Sequence, residues 1–542
     1  MNTKSNFMNR REILKQLSVI PLVGTTMTPE LFANPVIGNA NKDEENIYRS
    51  LGVEPIINCR GTFTILGGSI ERPEVLEAMK AASGYFAQYD ELAYGIGQKL
   101  GELTKTEWGV VTAGCAAAMK HFTAACVTGG NPERLIRIPD LTGLEKTEVI
   151  IPRYSRNVYD HAVRNVGVKV ITVETPEEMQ KAINKHTAMI YVLACRHSQP
   201  GQPFSLEVIA EMAKPLNIPV LLDAAAEDLT IPPVHLAQGA TVVAYSGGKA
   251  ICGPQCAGLL LGQKDILISA WQASSPHHGP GRDNKVGKEE MFGMLAAVQA
   301  WIDRDHEEKW EEWLAWLDLI SDRMLTIKGI ETSVTMPKGL SNHAPVLHIQ
   351  WDPEKLNITG EEVAEEVARN KIRIAIGSRT MEEGTSINIT PNQMQAGEAE
   401  VVAERLHGIL SQKRNSKIDN LKAAKVDLNG HWDIEITFPS SKSKHRLFVQ
   451  QEGNWIQGQH ETDFEMLELV GMVENNEVKL RSNFRIPGNS LIYLFSGKLE
   501  NEKLHGSIYL GEYLNATFTG SRIKYSNKKK KITIPGGPPL AT

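Results

Sequence analysis

The chain has 542 residues, of which 42% are hydrophobic and 23% charged. This composition is typical of a soluble globular protein that is too long for a single core. The net charge of -6 and the pI near 6.2 argue against a dedicated nucleic-acid binder, because no overall basic field would attract phosphates. All six cysteines lie in the first half, mostly within apolar runs. They predict buried thiols and, because no second Cys/His pair follows at ligand spacing, no metal site.

Residues 1–42 have the pattern of a twin-arginine export signal followed by a linker. Arg10 and Arg11 precede a short, weakly apolar stretch at 17–23, and small residues follow around Ala33 and Ala40. The stretch is shorter than the roughly 20 residues of a membrane-spanning helix. We therefore expect export to the periplasm and no stable membrane span. A basic N-terminal helix on a cytoplasmic protein is the alternative.

Residues 241–262, TVVAYSGGKAICGPQCAGLLLG, place Lys249 in a turn of small residues between two apolar strands. A buried lysine is costly, and desolvation lowers the pKa of an amine, which favours the nucleophilic form that makes a Schiff base. Ser246 and the N–H groups of the following glycines are spaced to hold a phosphate beside it. The combination indicates pyridoxal phosphate, and a plain strand–turn–strand unit is the alternative.

Two further segments have features of a ligand site. Around Gly114, a short apolar strand runs into small residues and then a helix, whose free N–H groups and positive dipole end would face an anion. A tight turn without a ligand is the alternative. At 218–227 a buried strand ends in Asp223, at the edge where ligands lie in open α/β sheets. A protonated pyridine nitrogen would suit that carboxylate; otherwise Asp223 caps the next helix.

Alternating strands and helices over 149–227 predict an α/β domain with a largely parallel sheet. The order of phosphate-type turn, strand-end aspartate and Ser-x-x-Lys resembles fold-type I pyridoxal-phosphate enzymes. More specifically, the chain resembles the selenocysteine-synthase-like group, which includes D-glucosaminate-6-phosphate ammonia lyases. The resemblance extends over about residues 45–410, and its matching segments are 52–69, 110–119, 151–163, 221–228, 245–262 and 281–297.

The resemblance implies a role for each matched residue of the cofactor site. Lys249 would form the Schiff base and then serve as the base at the substrate Cα. Asp223 would pair with the pyridine nitrogen. The phosphate would be held by Ser246 and by the N–H groups of Gly114, Cys115 and Ala116. A ring from the segment 154–161 would stack on the cofactor, with His161 favoured over Tyr159.

Three arginines are candidates for binding a substrate carboxylate or phosphate: Arg60, Arg153 and Arg282. For each of them a surface or structural role is the alternative. Cys115 and Cys252 depart from the resemblance, because small polar residues or glycine are expected at both positions. Either thiol would alter the pocket without blocking the turn.

The pattern changes after residue 412. Short alternating strands at hairpin spacing predict an antiparallel β-barrel or sandwich, either a structural or oligomerisation module or one that binds carbohydrate or a partner. The predicted bounds are 1–42 signal and linker, 43–300 large cofactor-binding domain, 301–412 small α/β lobe, 413–427 linker, 428–525 all-β module and 526–542 disordered tail.

Four tryptophans between 301 and 316 are predicted to form one packed helix face.

The residues themselves predict the chemistry of a pyridoxal-phosphate site, and the resemblance implies a lyase that catalyses α,β-elimination, with ammonia release, on an amino acid or amino-sugar acid. Transamination or β-replacement, as in the selenium transferases, uses the same Lys249 and Asp223 and is the enzymatic alternative. A binding protein on a former enzyme scaffold is the non-enzymatic one. The resemblance also implies a homodimer or larger homo-oligomer. Action on charged tRNA is not expected, because the chain is acidic and starts with an export-like segment.

Overall fold

The computed structural model describes residues 46–381, 384–416, 421–523 and 537. The predicted signal and linker (1–42) and nearly all of the predicted tail (526–542) lie outside the described residues. The described part contains a seven-stranded sheet, a four-stranded sheet, a two-stranded pair and a closed barrel. None of its helices combines the length and the apolar character that crossing a membrane requires.

The large domain is built on the seven-stranded sheet. The first strand of the chain, β1 (Ile56–Asn58), precedes this sheet and is not part of it. Its strands are β2 (Trp108–Thr112), β3 (Glu148–Pro152), β4 (Lys169–Val173), β5 (Thr187–Leu193), β6 (Val220–Asp223), β7 (Val242–Ser246) and β8 (Gly258–Gly262). Its helices are α1 (Pro73–Ser83), α2 (Tyr89–Thr104), α3 (Gly114–Thr128), α4 (Pro132–Leu135), α5 (His161–Arg164), α6 (Pro176–Ala182), α7 (Leu206–Ala213), α8 (Val234–Ala237), α9 (Lys264–Ala273) and α10 (Lys288–Asp303).

The strand order is β2-β8-β7-β6-β5-β3-β4. Neighbouring strands are parallel from β7 to β4, whereas β8 is antiparallel to both β7 and β2. Strands β2, β6 and β8 are buried along their whole length, which is why they are continuous apolar runs without alternation. The largely parallel sheet that the sequence predicts is therefore present, and one antiparallel strand lies next to the lysine turn.

The small domain follows from residue 306. Its elements are α11 (His306–Leu325), β9 (Ile330–Thr335), β10 (Val346–Trp351), α12 (Pro353–Leu356), α13 (Gly360–Arg369), β11 (Arg373–Ala375), β12 (Gly377–Met381), β13 (Gly384–Ile389) and α14 (Glu398–Leu410). Strand β1 pairs in parallel with β11, and Cys59 packs in the small-domain core. The entry segment thus lies in the small domain, although the predicted boundary assigns it to the large one.

The four tryptophans lie on two helices and not on one. Trp301 is buried at the end of α10, and the other three are on α11. The break falls at Asp305, whose carboxylate accepts from the N–H groups of Glu307 and Glu308 and so caps α11. The predicted single face is wrong because this capping signal ends the helical pattern.

The all-β module is a closed barrel of eight antiparallel strands. They are β14 (Gly430–Thr437), β15 (Lys442–Glu452), β16 (Trp455–Glu461), β17 (Met466–Glu474), β18 (Glu477–Ile486), β19 (Asn489–Glu500), β20 (Lys503–Tyr509) and β21 (Asn515–Ile523). Strand β21 pairs with β14 and closes the ring. Alternate residues point inward, as Trp432, Ile434 and Ile436 do on β14. Of the two predicted forms, barrel and sandwich, the structure has the barrel.

Candidate active site

The turn that carries Lys249 joins the adjacent strands β7 and β8 and is held by hydrogen bonds between its own backbone groups. The Gly247 N–H donates to Ala257 O at 2.9 Å, and the Cys252 N–H donates to Lys249 O at 3.0 Å. Cys252 has φ of 54°, a left-handed conformation that favours glycine. This explains why glycine is expected at that position.

The predicted phosphate-binding residues come together at the start of α3. Ser246 is opposite Gly258 in the β7–β8 register. A Cβ on Gly258 would overlap the carbonyl carbon of Gly114 and lie only 2.6 Å from the Cys115 nitrogen. Helix α3 has no side-chain cap at its N-terminus, so the N–H groups of its first turn are available to an anion. Ser246, Gly114 and Cys115 therefore lie close together, at one edge of the candidate cofactor pocket.

Asp223 ends β6 and is 2% exposed. Its carboxylate accepts from the Tyr191 hydroxyl at 2.7 Å, from the Ala225 N–H at 3.1 Å and from the Cys115 thiol at 3.6 Å. Burial raises the pKa of Asp223, and these donors together with the charge of Lys249 oppose that rise. Within the described residues no cation pairs with this carboxylate within 4 Å. A buried carboxylate held by neutral donors suits a protonated nitrogen.

Tyr191 and Asn157 belong to this site although the sequence prediction does not include them. Tyr191 lies within β5 and is fully buried. The Asn157 amide donates to the Tyr191 oxygen at 3.0 Å. Burial, followed by the charge of Asp223, raises the pKa of Tyr191 well above its usual value, so its hydroxyl remains a donor to Asp223. Nothing in a buried strand of apolar residues marks one tyrosine as such a donor.

The other predicted residues lie apart from this cluster or have partners elsewhere. His161 begins α5 and is exposed, as is Tyr159. Arg153 is 59% exposed and pairs with Glu174 at 2.6 Å. Arg60 lies over the Phe63 ring at 4.8 Å, and Arg282 donates to the Ser275 hydroxyl at 2.7 Å. The stacking ring at His161 and the three arginines stay predictions.

Two other arginines lie near the lysine turn. Arg72 donates to Ala300 O at 3.0 Å, near the end of α10, and Arg304 follows that helix directly. Arg304 lies over the rings of Trp301 and Trp313 at 5.9 and 5.5 Å. Burial lowers the pKa of Arg304, an effect opposed by Cys252 and reinforced by Arg72. Arg72 and Arg304 are 232 positions apart in the sequence, so no local sequence signal predicts that they lie close together.

Comparison with known proteins supplies relatives for two thirds of the chain. The chain is 27% identical over 374 residues to D-glucosaminate-6-phosphate ammonia lyase of Salmonella typhimurium (strain 14028s / SGSC 2262), a match that covers 67% of this chain and 98% of the relative. It is 27% identical to 5'-C-glycyluridine monooxygenase-decarboxylase of a Streptomyces species, covering 67% and 92%. It is 25% identical to L-seryl-tRNA(Sec) selenium transferase of Moorella thermoacetica, covering 51% and 62%. No family model matches.

A solved structure of D-glucosaminate-6-phosphate ammonia-lyase is similar with a TM-score of 0.60 and 26% identity, covering 68% of this chain and 98% of that one. The fold is that of the fold-type I pyridoxal-phosphate enzymes, with the barrel added at the C-terminal end. Within that class, the relatives fit the group that the motifs indicate, that of the selenocysteine synthases and D-glucosaminate-6-phosphate ammonia lyases. The prediction of an enzyme is likewise confirmed by these relatives.

Proposed function

We propose that the chain is a pyridoxal-phosphate-dependent lyase that releases ammonia from an amino acid or amino-sugar acid by α,β-elimination. The observation that carries the proposal is Asp223, a buried carboxylate with neutral donors only, next to Lys249 and the uncapped start of α3. These groups fit the three attachment points of the cofactor: its pyridine nitrogen, its aldehyde and its phosphate. The resemblance to an ammonia lyase supports the reaction class.

In this proposal each residue of the chain has a defined task. Asp223 stays ionised against the pyridine nitrogen, and Ser246 with the first N–H groups of α3 holds the phosphate. Pyridoxal phosphate, when bound, withdraws electrons from the bonds at the substrate Cα. The Lys249 amine takes the proton from that carbon, and a hydroxyl leaves from the next one.

The two half-buried arginines, Arg72 and Arg304, support an acidic substrate. Among the described residues neither has a carboxylate within 4 Å of its guanidinium group, although Asp228 and Glu312 act on Arg304 from farther away. Both arginines lie close to Cys252 in the lysine turn. An arginine without a carboxylate partner is suited to bind a carboxylate or phosphate on a ligand. We assign the acidic group of the substrate to this pair.

Transamination and β-replacement stay the alternative, since they need the same lysine and aspartate. The relative named a selenium transferase supports the β-replacement form of this alternative. The products distinguish elimination from transamination: free ammonia and a keto acid indicate elimination, whereas an aminated cofactor indicates transamination.

The test is the visible spectrum of the purified protein with added pyridoxal phosphate, followed by borohydride reduction and peptide mapping. The expected result is a band that is absent in Lys249→Ala and a reduced adduct on Lys249. Lys146→Ala is the matched control, because Lys146 is a partly buried lysine that donates to Thr187 O, away from the pocket. A wild-type protein without a band would refute the proposal.

Export by the twin-arginine route and assembly as a homo-oligomer complete the proposal. Export rests on the Arg10-Arg11 pattern, which lies outside the described residues, and assembly on the family resemblance. Secretion of a reporter fused to residues 1–42, compared with an Arg10→Lys, Arg11→Lys version, tests the first. Light scattering of the purified protein tests the second, and a monomer mass would exclude the oligomer.

A further inference from the structure

The turn between β18 and β19 of the barrel contacts the large domain. The Pro487 carbonyl accepts from Arg156 Nη2 at 3.2 Å. A Cβ on Gly488 would lie 2.9 Å from the backbone oxygen of Asn157, 3.0 Å from the backbone nitrogen of Asn157 and 3.1 Å from Asp160 Oδ2. Because these distances leave no room for a side chain, and because φ of +82° favours glycine, the contact depends on Gly488.

The segment 156–160, which contacts the barrel, is also bonded to other parts of the large domain. The Asp160 carboxylate is 1% exposed and pairs with Arg156 at 2.5 Å and with Arg164 at 2.9 Å. Arg156 also donates to the Thr172 hydroxyl on β4 at 2.7 Å. The Arg156 guanidinium therefore joins three parts of the molecule: the turn at 156–160, the edge strand of the sheet and the barrel.

The same turn orients Asn157. The Asn157 Oδ1 accepts from the Tyr159 N–H at 2.7 Å, and its Nδ2 donates to Ser155 O at 2.9 Å and to the Tyr191 oxygen at 3.0 Å. These partners fix which end of the amide faces Tyr191. Since the Tyr191 oxygen accepts from Asn157, its single hydrogen is left for Asp223, 2.7 Å away.

We propose that the β18–β19 turn of the barrel is a brace for the cofactor site, acting through Asn157 and Tyr191 on the orientation of Asp223. Tyr191 and Asn157 are positioning residues, because they act through Asp223 and not on a substrate. This inference rests on the proposed function in its last step, the binding of the pyridine nitrogen. The docking of the barrel does not depend on that step.

A donor to the Asp223 carboxylate favours its charged form, which is the form that pairs with a protonated nitrogen. Complete loss of a hydrogen bond to a charged group lowers affinity by about tenfold or more. Displacing the brace perturbs this bond without removing it. We therefore expect cofactor affinity to fall by about three- to tenfold.

The test compares Gly488→Ala with Gly453→Ala. Gly453 also lies in a barrel hairpin turn, with φ of +59° and no atom within 4 Å of the position that an added methyl would take. Its substitution therefore reproduces the backbone strain without a contact to the large domain. The first readout is hydrogen exchange over residues 153–161 in the cofactor-free protein. The second is the dissociation constant of pyridoxal phosphate from a titration of the visible band.

We expect Gly488→Ala to speed exchange in 153–161 and to weaken cofactor binding, with Gly453→Ala close to the wild type. In a Tyr191→Phe background the effect of Gly488→Ala on binding should disappear, because the connection is already broken. Equal exchange in all three proteins would refute the docking. Faster exchange with an unchanged dissociation constant, or additive effects in the double variant, would refute the connection to Asp223. A wild type that binds no cofactor would refute the proposed function and this last step together, while the exchange result still judges the docking.

Discussion

A buried histidine in the barrel makes the stability of that domain depend on pH. His460 is fully buried; it bonds His445 Nδ1 through Nε2 at 2.8 Å and the Ser482 hydroxyl through Nδ1 at 2.7 Å. The rings of Tyr493 and Phe495 lie edge-on at 5.0 and 5.4 Å. Burial, followed by the neighbouring His445, lowers the pKa of His460 to about 3.

The sign follows from linkage. The folded barrel keeps His460 neutral while the unfolded chain takes up a proton near pH 6.5, so the stabilisation is present above that pH and is lost as the pH falls toward 3. Each pH unit in this window costs about 1.4 kcal/mol, so at pH 5 the barrel is less stable by about 2 kcal/mol from this group alone. His460→Gln keeps an acceptor for His445 and a donor for Ser482 but does not titrate. It should therefore remove this part of the pH dependence.

The assay is native-state hydrogen exchange of the barrel strands in the full chain, corrected for intrinsic rates and measured at pH 7.5, 6 and 5. Exchange is suited to a chain of several domains, because a global unfolding midpoint is not defined for it. His505→Gln is the control, since His505 is about half-exposed. If His460→Gln and the wild type lose the same free energy of opening between pH 7.5 and 5, the assignment is wrong.

Three further predictions concern the candidate active site. Tyr191→Phe removes a donor to Asp223 and one of the two acceptors of the Asn157 amide, so cofactor affinity should fall at least tenfold; an unchanged dissociation constant would contradict the arrangement. Gly258→Ala places a methyl against the backbone of Gly114, so the variant should lose about 1–3 kcal/mol of stability together with phosphate binding; retention of both in thermal unfolding and cofactor titration would count against the pocket geometry. Arg304→Gln should raise KM for an acidic substrate about tenfold or more with a smaller change in kcat; an equal KM would exclude Arg304 from binding the acidic group.

The parts of the site that the sequence predicts are those with a local signal. A stretch of about ten neighbouring residues is enough to recognise each of three signals: the lysine between two apolar runs, the aspartate at the end of a buried strand and the small residues before α3. The structure brings Lys249, Asp223, Ser246 and Gly114 to one edge of the sheet. The antiparallel direction of β8 is not predicted, because an apolar run indicates burial but not direction.

The parts that the sequence does not predict are contacts between distant segments. Tyr191 is a member of a buried strand, where a tyrosine is ordinarily a packing residue, and only its distance to Asp223 shows its role. Arg72 and Arg304 are not predicted for the same reason. Asp305, by contrast, is a readable capping signal, and it divides the tryptophan-rich segment into two helices.

The pairing of β1 with β11 has a consequence for the order in which the protein is made. Synthesis starts at the N-terminus, so β1 has no partner strand until residues 373–375 have left the ribosome. Between β1 and α1 lies Gly68, whose added Cβ would be 2.8 Å from the Gly248 oxygen in the lysine turn. The segment 59–72, one wall of the candidate cofactor pocket, is thus anchored by contacts of long sequence separation, among them the pairing of β1 with β11, and such contacts are slow to form. We expect nascent chains that end before β11 to leave this wall unanchored, so the cofactor is taken up after the small domain has been completed.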